Sequence, residues 1–465
     1  MAPALGSRIA HRQDGVVTDH DAETPGDPAR DDAVLDLALR VGEMLLSNGA
    51  GAADVVATMS SITHHLGLRQ AQMDVTFTAL SISHQYRPDE PSRTATRHVT
   101  HRETDFDDLT RVDLLVAALL AGDVDLDQAR TRLAHIASTG HRSPRWAITM
   151  SWAVTGAAIA VLLGGRPAGA AVAAVSAAII EILQRRLTRL RLPAFYGQAV
   201  GGLVASLIAV GCEAVDVPVD GSFVVISGIV MLLAGLGLIG AFQDALTGFY
   251  VTANARILEV LIATVGIIAG VGGGVTIGHQ FGIESLTGIT NSTLADPPIA
   301  AAAGAVTAAA FAFSAYAPAR SLLPVAVVAG VATFVYVIIA REEVTPAWPA
   351  AVSAVLIGLV GYGVAQRIGV PPLVIVVAAI VPLLPGLSIY RGLTLLAADD
   401  LQGLISLIAA LASAIALSSG VILGEYVAQP LRREARRLEQ RLAGPRLVGP
   451  LRARAGLSRR RADPK

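Results

Sequence analysis

Lysine is almost missing from this 465-residue chain: the one lysine is Lys465, and the basic residues are otherwise arginines. There is a single cysteine, Cys212, set in an apolar run; this excludes an intramolecular disulfide and a thiolate metal cluster, and it reads as a small buried hydrophobe. Charge is scarce at 16% and aromatics make up 5%, against 53% hydrophobic residues. With a mean hydropathy of +0.57, that balance excludes an ordinary soluble enzyme and points to an integral membrane protein. The net charge of -1 hides an asymmetry, because charged residues gather before residue 146 and after residue 430. No nucleic-acid partner is expected.

Catalytic and nucleotide motifs are missing too. The sequence has no GxSxG, GxxxxGK[ST] or HExxH, so neither an enzyme nor an ATP-driven pump is expected from it alone. No cofactor or metal is expected either. His98 and His101 on a strand would point to opposite faces. The run Gly270, Gly272, Gly273 and Gly274 lacks the lysine and preceding strand of a phosphate loop, and suits close helix packing in lipid. Residues 1–30 have no apolar core of the length a secretory signal needs, and read as a disordered tail.

What the chain does have is a series of apolar runs from Trp146 onward, each of roughly 15 to 22 residues and so able to cross a bilayer as a helix. They lie near 146–163, 168–183, 194–215, 223–242, 257–277, 299–316, 322–340, 348–365, 373–387 and 401–423. The arginines support this division. Arg142, Arg145, Arg185, Arg186, Arg189, Arg191, Arg256, Arg320, Arg367 and a group after residue 430 fall in one set of loops, while the alternate loops hold only Arg166, Arg341 and Arg391. By the positive-inside rule both termini are cytosolic. The expected fold is therefore an all-α polytopic membrane protein of about ten transmembrane helices. Its two five-helix halves are 146–277 and 299–423, and related halves with an odd number of spans would form inverted repeats. LLxGL in the fourth span of each half, at Leu232–Leu236 and Leu383–Leu387, supports the repeat. AAVSA at 173 and at 350 does not fit the same register.

Residues 31–140 form a separate small cytosolic α+β domain. Leu35, Leu39, Gly42, Leu45 and Leu46 make one helical stripe that breaks at Asn48-Gly49. Met73, Val75, Phe77 and Ala79 alternate as in one half-buried strand, with TATRHVTHRE able to pair back across RPDEPS. Two further helices follow, near 106–121 and 125–138. Residues 431–465 are an arginine-rich cytosolic tail suited to anionic lipid headgroups.

The polar residues at membrane depth are the candidates for function. In GLGLIGAFQDALTGFYVTANARILE (235–259), Asp244, Thr247, Thr252, Arg256 and Glu259 share one face if 244–259 is helical, with Tyr250 nearby. Such a stripe either lines a pathway or is an amphipathic loop in which Arg256 pairs with Glu259. Gly235, Gly237 and Gly240 favour a bend before it. In VPLLPGLSIYRGL, Pro382 and Pro385 interrupt a span and free a carbonyl, with Tyr390 and Arg391 following. Glu181 is a further carboxylate at membrane depth, either functional or paired with Arg185.

These residues resemble the threonine/serine exporter family, which is related to the two-component dicarboxylate (succinate) exporters. The likeness rests on LALRVGEMLLSNGAGAADVVATMSSITHHLGL, AFQDALTGFYVTANARILE, APARSLLPVAVVAG, AAVSAVLIGL and IVPLLPGLSIYRG, in that order. It departs at Ala234, which stands where the second half has Pro385, an asymmetry against matching helix breaks. The resemblance implies a secondary exporter of threonine and serine, driven by the proton motive force, in a bacterial inner membrane. Its partners would be the amino acid, protons and lipid, and it could form a homo-oligomer. A zwitterion needs an acceptor for its ammonium and donors for its carboxylate, and Asp244 and Arg256 suit these roles. Thr247, Tyr250 and Thr252 would contact the rest of the substrate, and Glu259 or Glu181 would carry protons. Two alternatives stand beside this: a dicarboxylate exporter relying on Arg256 and Arg391, and a membrane-anchored sensor or enzyme whose cytosolic domain binds the ligand.

Overall fold

The computed structural model describes residues 28–85, 91–100, 102, 104–140, 143–215, 217, 219, 221–232, 235–282, 294–342, 345–397 and 400–442. The expected tail before residue 28 and most of that after residue 430 lie outside these.

The N-terminal unit begins with α1 (Pro28–Ser47), whose Val34, Leu37, Ala38, Val41 and Leu45 recur at helical spacing and are buried. The chain then reverses at Gly49, which has a φ of 94° that residues with a Cβ rarely adopt, and enters α2 (Ala52–His65). Strands β1 (Gln72–Val75), β2 (Ala79–His84) and β3 (Arg93–His98) form an antiparallel sheet in that order. The single strand expected from Met73 to Ala79 is corrected here. At Thr76 the backbone N–H and the hydroxyl both donate to the Ala79 carbonyl, at 2.8 and 3.1 Å, closing a turn. Gln72 therefore lies opposite Ser83, and Val75 opposite Leu80. β3 pairs with β2, as TATRHV was expected to; most of the RPDEPS connection lies outside the described residues. α3 (Phe106–Leu120) starts at Asp105, whose carboxylate caps the Asp107 and Asp108 amides at 3.0 Å. α4 (Leu126–Ser138) is capped by Asp125 in the same way.

Eight of the described helices are long and apolar enough to cross a membrane. They are α5 (Arg145–Leu162), α6 (Pro167–Arg189), α7 (Ala194–Ala214), α10 (Tyr250–Gln280), α11 (Pro297–Ser314), α12 (Ala319–Ala340), α13 (Ala347–Ile368) and the first part of α16 (Gln402–Leu442). The ninth expected span is split in two, and the fourth is described as two helices on either side of residues 233–234, which lie outside the described residues. α8 (Gly221–Leu232) is followed by α9 (Gly235–Leu246). α14 (Pro372–Ile380) runs on through a 3-10 turn, Val381–Leu383, and is followed by α15 (Gly386–Ala397). In the second half the break falls within LLxGL, the 3-10 turn ending at its leading Leu and the next helix starting at its Gly, and Pro382 and Pro385 account for it. The corresponding Ala234 lies outside the described residues.

Packing repeats between the halves. α5 lies on α6, α7 on α8 and α10, α6 on α8, and α9 on α10; α11 lies on α12, α13 on α14 and α16, α12 on α14, and α15 on α16. Each pair in the first half has its counterpart five spans later, so the two halves share one packing pattern. The tightest pairs in both are built on glycine. A Cβ on Gly270 would run into the Ala199 carbonyl, and one on Gly358 or Gly424 into the carbonyls of Val421 or Val355. The halves meet along α5 and α11.

The N-terminal unit is seated on these helices. The Phe106 amide donates to the Ala315 carbonyl at 2.8 Å, just past the end of α11. Its ring, fully buried, meets Phe311 edge-on at 6.3 Å between centroids, and Phe311 in turn meets Trp152 at 6.0 Å.

Candidate functional site

The polar stripe is not one helix. α9 ends at Leu246, the chain turns through Gly248 with a φ of 93°, and α10 begins at Tyr250. The turn is tied by the Phe249 amide donating to the Asp244 carbonyl at 2.8 Å. In a continuous helix, Asp244 and Arg256 would be separated by roughly 18 Å of axis. The turn instead brings Arg256 Nε within 3.0 Å of Asp244 Oδ2, with the two side chains 11% and 1% exposed.

Most of the stripe's polar capacity is spent on the N-terminal unit. Asp244 Oδ1 accepts from the Ala52 amide at 2.9 Å. That amide opens α2, where unpaired N–H groups and the helix dipole favour a carboxylate. Arg256 Nη2 donates to the Ala50 carbonyl at 3.2 Å, and the Thr252 hydroxyl donates to the Val75 carbonyl at 3.3 Å. Gly240 leaves room for the guanidinium, since a Cβ there would overlap Arg256 Nη1. Asp244, Thr252 and Arg256 thus form a seam between two folded units.

Beside the seam lies a cavity of about 230 Å³. α9 contributes Gly237, Ile239 and Gln243, α10 contributes Arg256 and Glu259, and α14 supplies an apolar wall of Leu373, Val377 and Ile380. The N-terminal unit closes it with Asn48, Arg102, Thr104 and their neighbours. The Arg102 guanidinium carbon sits 3.3 Å from the centre of the Phe77 ring, and its Nη2 is buried with no hydrogen-bond partner among the described residues. Burial and the nearby Arg256 charge push its pKa down to about 10, partly offset by Glu259 and Asp244. Glu259 is exposed at the rim, and no ion pair to Arg256 or to any other described residue is made there.

The remaining sequence candidates are spread out. Thr247 sits in the turn with its hydroxyl on the Gln243 carbonyl at 2.9 Å, and Tyr250 is 68% exposed. Glu181 is buried, its Oε2 accepting from Thr149 at 2.9 Å and from Arg185 at 2.6 Å. With Trp152, Gln184 and Leu232, the last residue of α8, it borders a second cavity of about 390 Å³. Pro385 precedes α15, where its carbonyl accepts from the Ile389 amide at 3.1 Å. Tyr390 and Arg391 lie in α15, the Tyr390 side chain outside what is described, and neither borders either cavity. Arg102 was missed by the sequence: it follows a polar strand and breaks no apolar run.

The chain is similar to known proteins over most of its length. A family model described as a threonine/serine exporter matches residues 36–278, and a second model of the same description matches residues 300–427. The first runs from within α1 to near the end of α10, and the second from α11 into α16. A Mycobacterium tuberculosis protein named as a threonine/serine exporter is 34% identical over 437 residues, spanning 89% of this chain and 80% of its own length. A threonine/serine exporter of Corynebacterium glutamicum is 34% identical over 414 residues, spanning 87% of this chain and 84% of its own. No solved structure matches.

Proposed function

The chain belongs to the threonine/serine exporter family, and on that premise we propose that it is a secondary active transporter carrying threonine and serine out of the cytosol of a bacterial cell. The N-terminal unit and both termini are cytosolic, in keeping with the arginine-rich loops. Export is antiport against protons entering down the proton motive force. The observation that carries this reading is the cavity between the N-terminal unit and the membrane helices, bordered by α9 on one side and the broken span's α14 on the other and holding charges of both signs. A broken span bordering a cavity with charged groups is a recurrent way to expose a substrate site within a membrane.

Glu181, buried beside Arg185, is the group suited to carry protons, leaving Glu259 at the cavity rim for the substrate. Reconstituted protein tests the reading. Threonine counterflow should follow an imposed pH gradient and collapse when the gradient is dissipated. Counterflow indifferent to the gradient would remove the proton coupling, and no threonine or serine counterflow at all would remove the exporter. The two guanidinium groups at the cavity favour a second reading, a dicarboxylate cargo. Succinate should fail to compete with threonine if the amino acid is the substrate.

A further inference from the structure

We propose that the cavity holds its amino acid by the two charged ends, Arg102 taking the carboxylate and Glu259 the ammonium. The assignment rests on the exporter reading and deepens it.

Of the two guanidinium groups, Arg256 is already committed to Asp244 and to the Ala50 carbonyl. Arg102 is not: stacking on Phe77 fixes its plane, while its Nη2 is buried and unsatisfied among the described residues. A planar guanidinium held by its face presents its N–H edge to a carboxylate. The ligand's carboxylate would also relieve the repulsion between Arg102 and Arg256.

Once Asp244 and Arg256 cancel, the cavity keeps one positive group, Arg102, and one negative group, Glu259. A zwitterion balances both, whereas a dicarboxylate would face Glu259 with a like charge. Gln243 and Thr104 are left for a side-chain hydroxyl, and the α14 wall for a methyl group. A volume of about 230 Å³ falls below the roughly 300 to 1,000 Å³ of sites for drug-sized ligands, matching a small amino acid. Because Arg102 comes from the N-terminal unit and Glu259 from α10, that unit is half of the binding site, and the substrate bridges the seam.

The test uses the full chain in proteoliposomes. Arg102→Gln and Glu259→Gln should each raise the threonine KM by roughly ten- to a hundredfold, with kcat changed less, and Arg102→Lys should recover part of the loss. With wild-type protein, the amino alcohol that lacks the carboxylate and the N-acetylated amino acid that lacks the ammonium should both fail to compete. Wild-type KM in both Gln variants, or competition by the amino alcohol equal to that of threonine, overturns the assignment while the exporter reading stands. Wild-type protein that moves neither threonine nor serine overturns the exporter reading first. If Arg102→Gln does not fold, Glu259→Gln and the competition panel decide.

Discussion

Truncating Asp244 to alanine should unfasten the N-terminal unit at a defined point. The carboxylate is 1% exposed, is paired with Arg256 at 3.0 Å and accepts from the Ala52 amide at 2.9 Å. Removing one partner of a buried pair costs about 3 to 5 kcal/mol, because the other charge is left uncompensated. Arg256 keeps the Ala50 carbonyl and some solvent, which favours the lower end, but the orphaned Ala52 amide adds to the cost. About 3 kcal/mol is roughly a hundredfold in a local opening equilibrium. Hydrogen exchange resolved to the peptide covering Asn48 to Val55 should therefore accelerate by about that factor, while peptides in the α13 and α16 pair stay protected. Asp244→Asn, which keeps an acceptor for Ala52, should show a smaller effect. The pair Asp244→Ala with Arg256→Met should cost less than the sum of the single changes, since no buried charge is stranded. Unchanged exchange at Asn48 to Val55 in Asp244→Ala would refute the seam.

Gly240→Ala should reproduce part of that signature, because the added methyl overlaps Arg256 Nη1; Gly272→Ala, with open space around it, should be silent in the same exchange experiment. Phe311→Ala removes the ring held between Phe106 and Trp152, and a loss of about 3 to 5 kcal/mol is expected at that contact. Limited proteolysis should then release the N-terminal unit faster without unfolding the spans. Arg102 has a folded pKa of about 10, below the ordinary arginine value, so its charged form is disfavoured by folding. That cost is present at every pH below about 10 and fades as the pH rises through it. Arg102→Met should therefore raise the thermal stability of ligand-free protein at neutral pH by about 1 kcal/mol, after allowing for its partial exposure. It should lose threonine transport, and a fall in stability would count against the burial argument.

The parts of this fold legible in the sequence are those set by local composition. Apolar runs give the spans, and LLxGL with its proline marks the break in the ninth. The seam was legible in its members and not in its assembly. Asp244, Thr252 and Arg256 belong together, yet no continuous helix joins them: Gly248 turns the chain, and a one-residue feature of that kind barely alters a 3.6-residue period. Nor can a polar stripe say what faces it, since a backbone amide and a substrate oxygen make the same demand on a carboxylate. Here the partners are Ala52, Ala50 and Val75, at separations of 192, 206 and 177 residues, beyond the reach of any local pattern. Arg102 is the converse case, unremarkable in sequence because its surroundings are polar, and set apart only when folding buries its Nη2 without a partner. Polar groups that the fold itself engages hold the two units together, and Arg102, left unsatisfied beside the cavity, is where a ligand has something to gain.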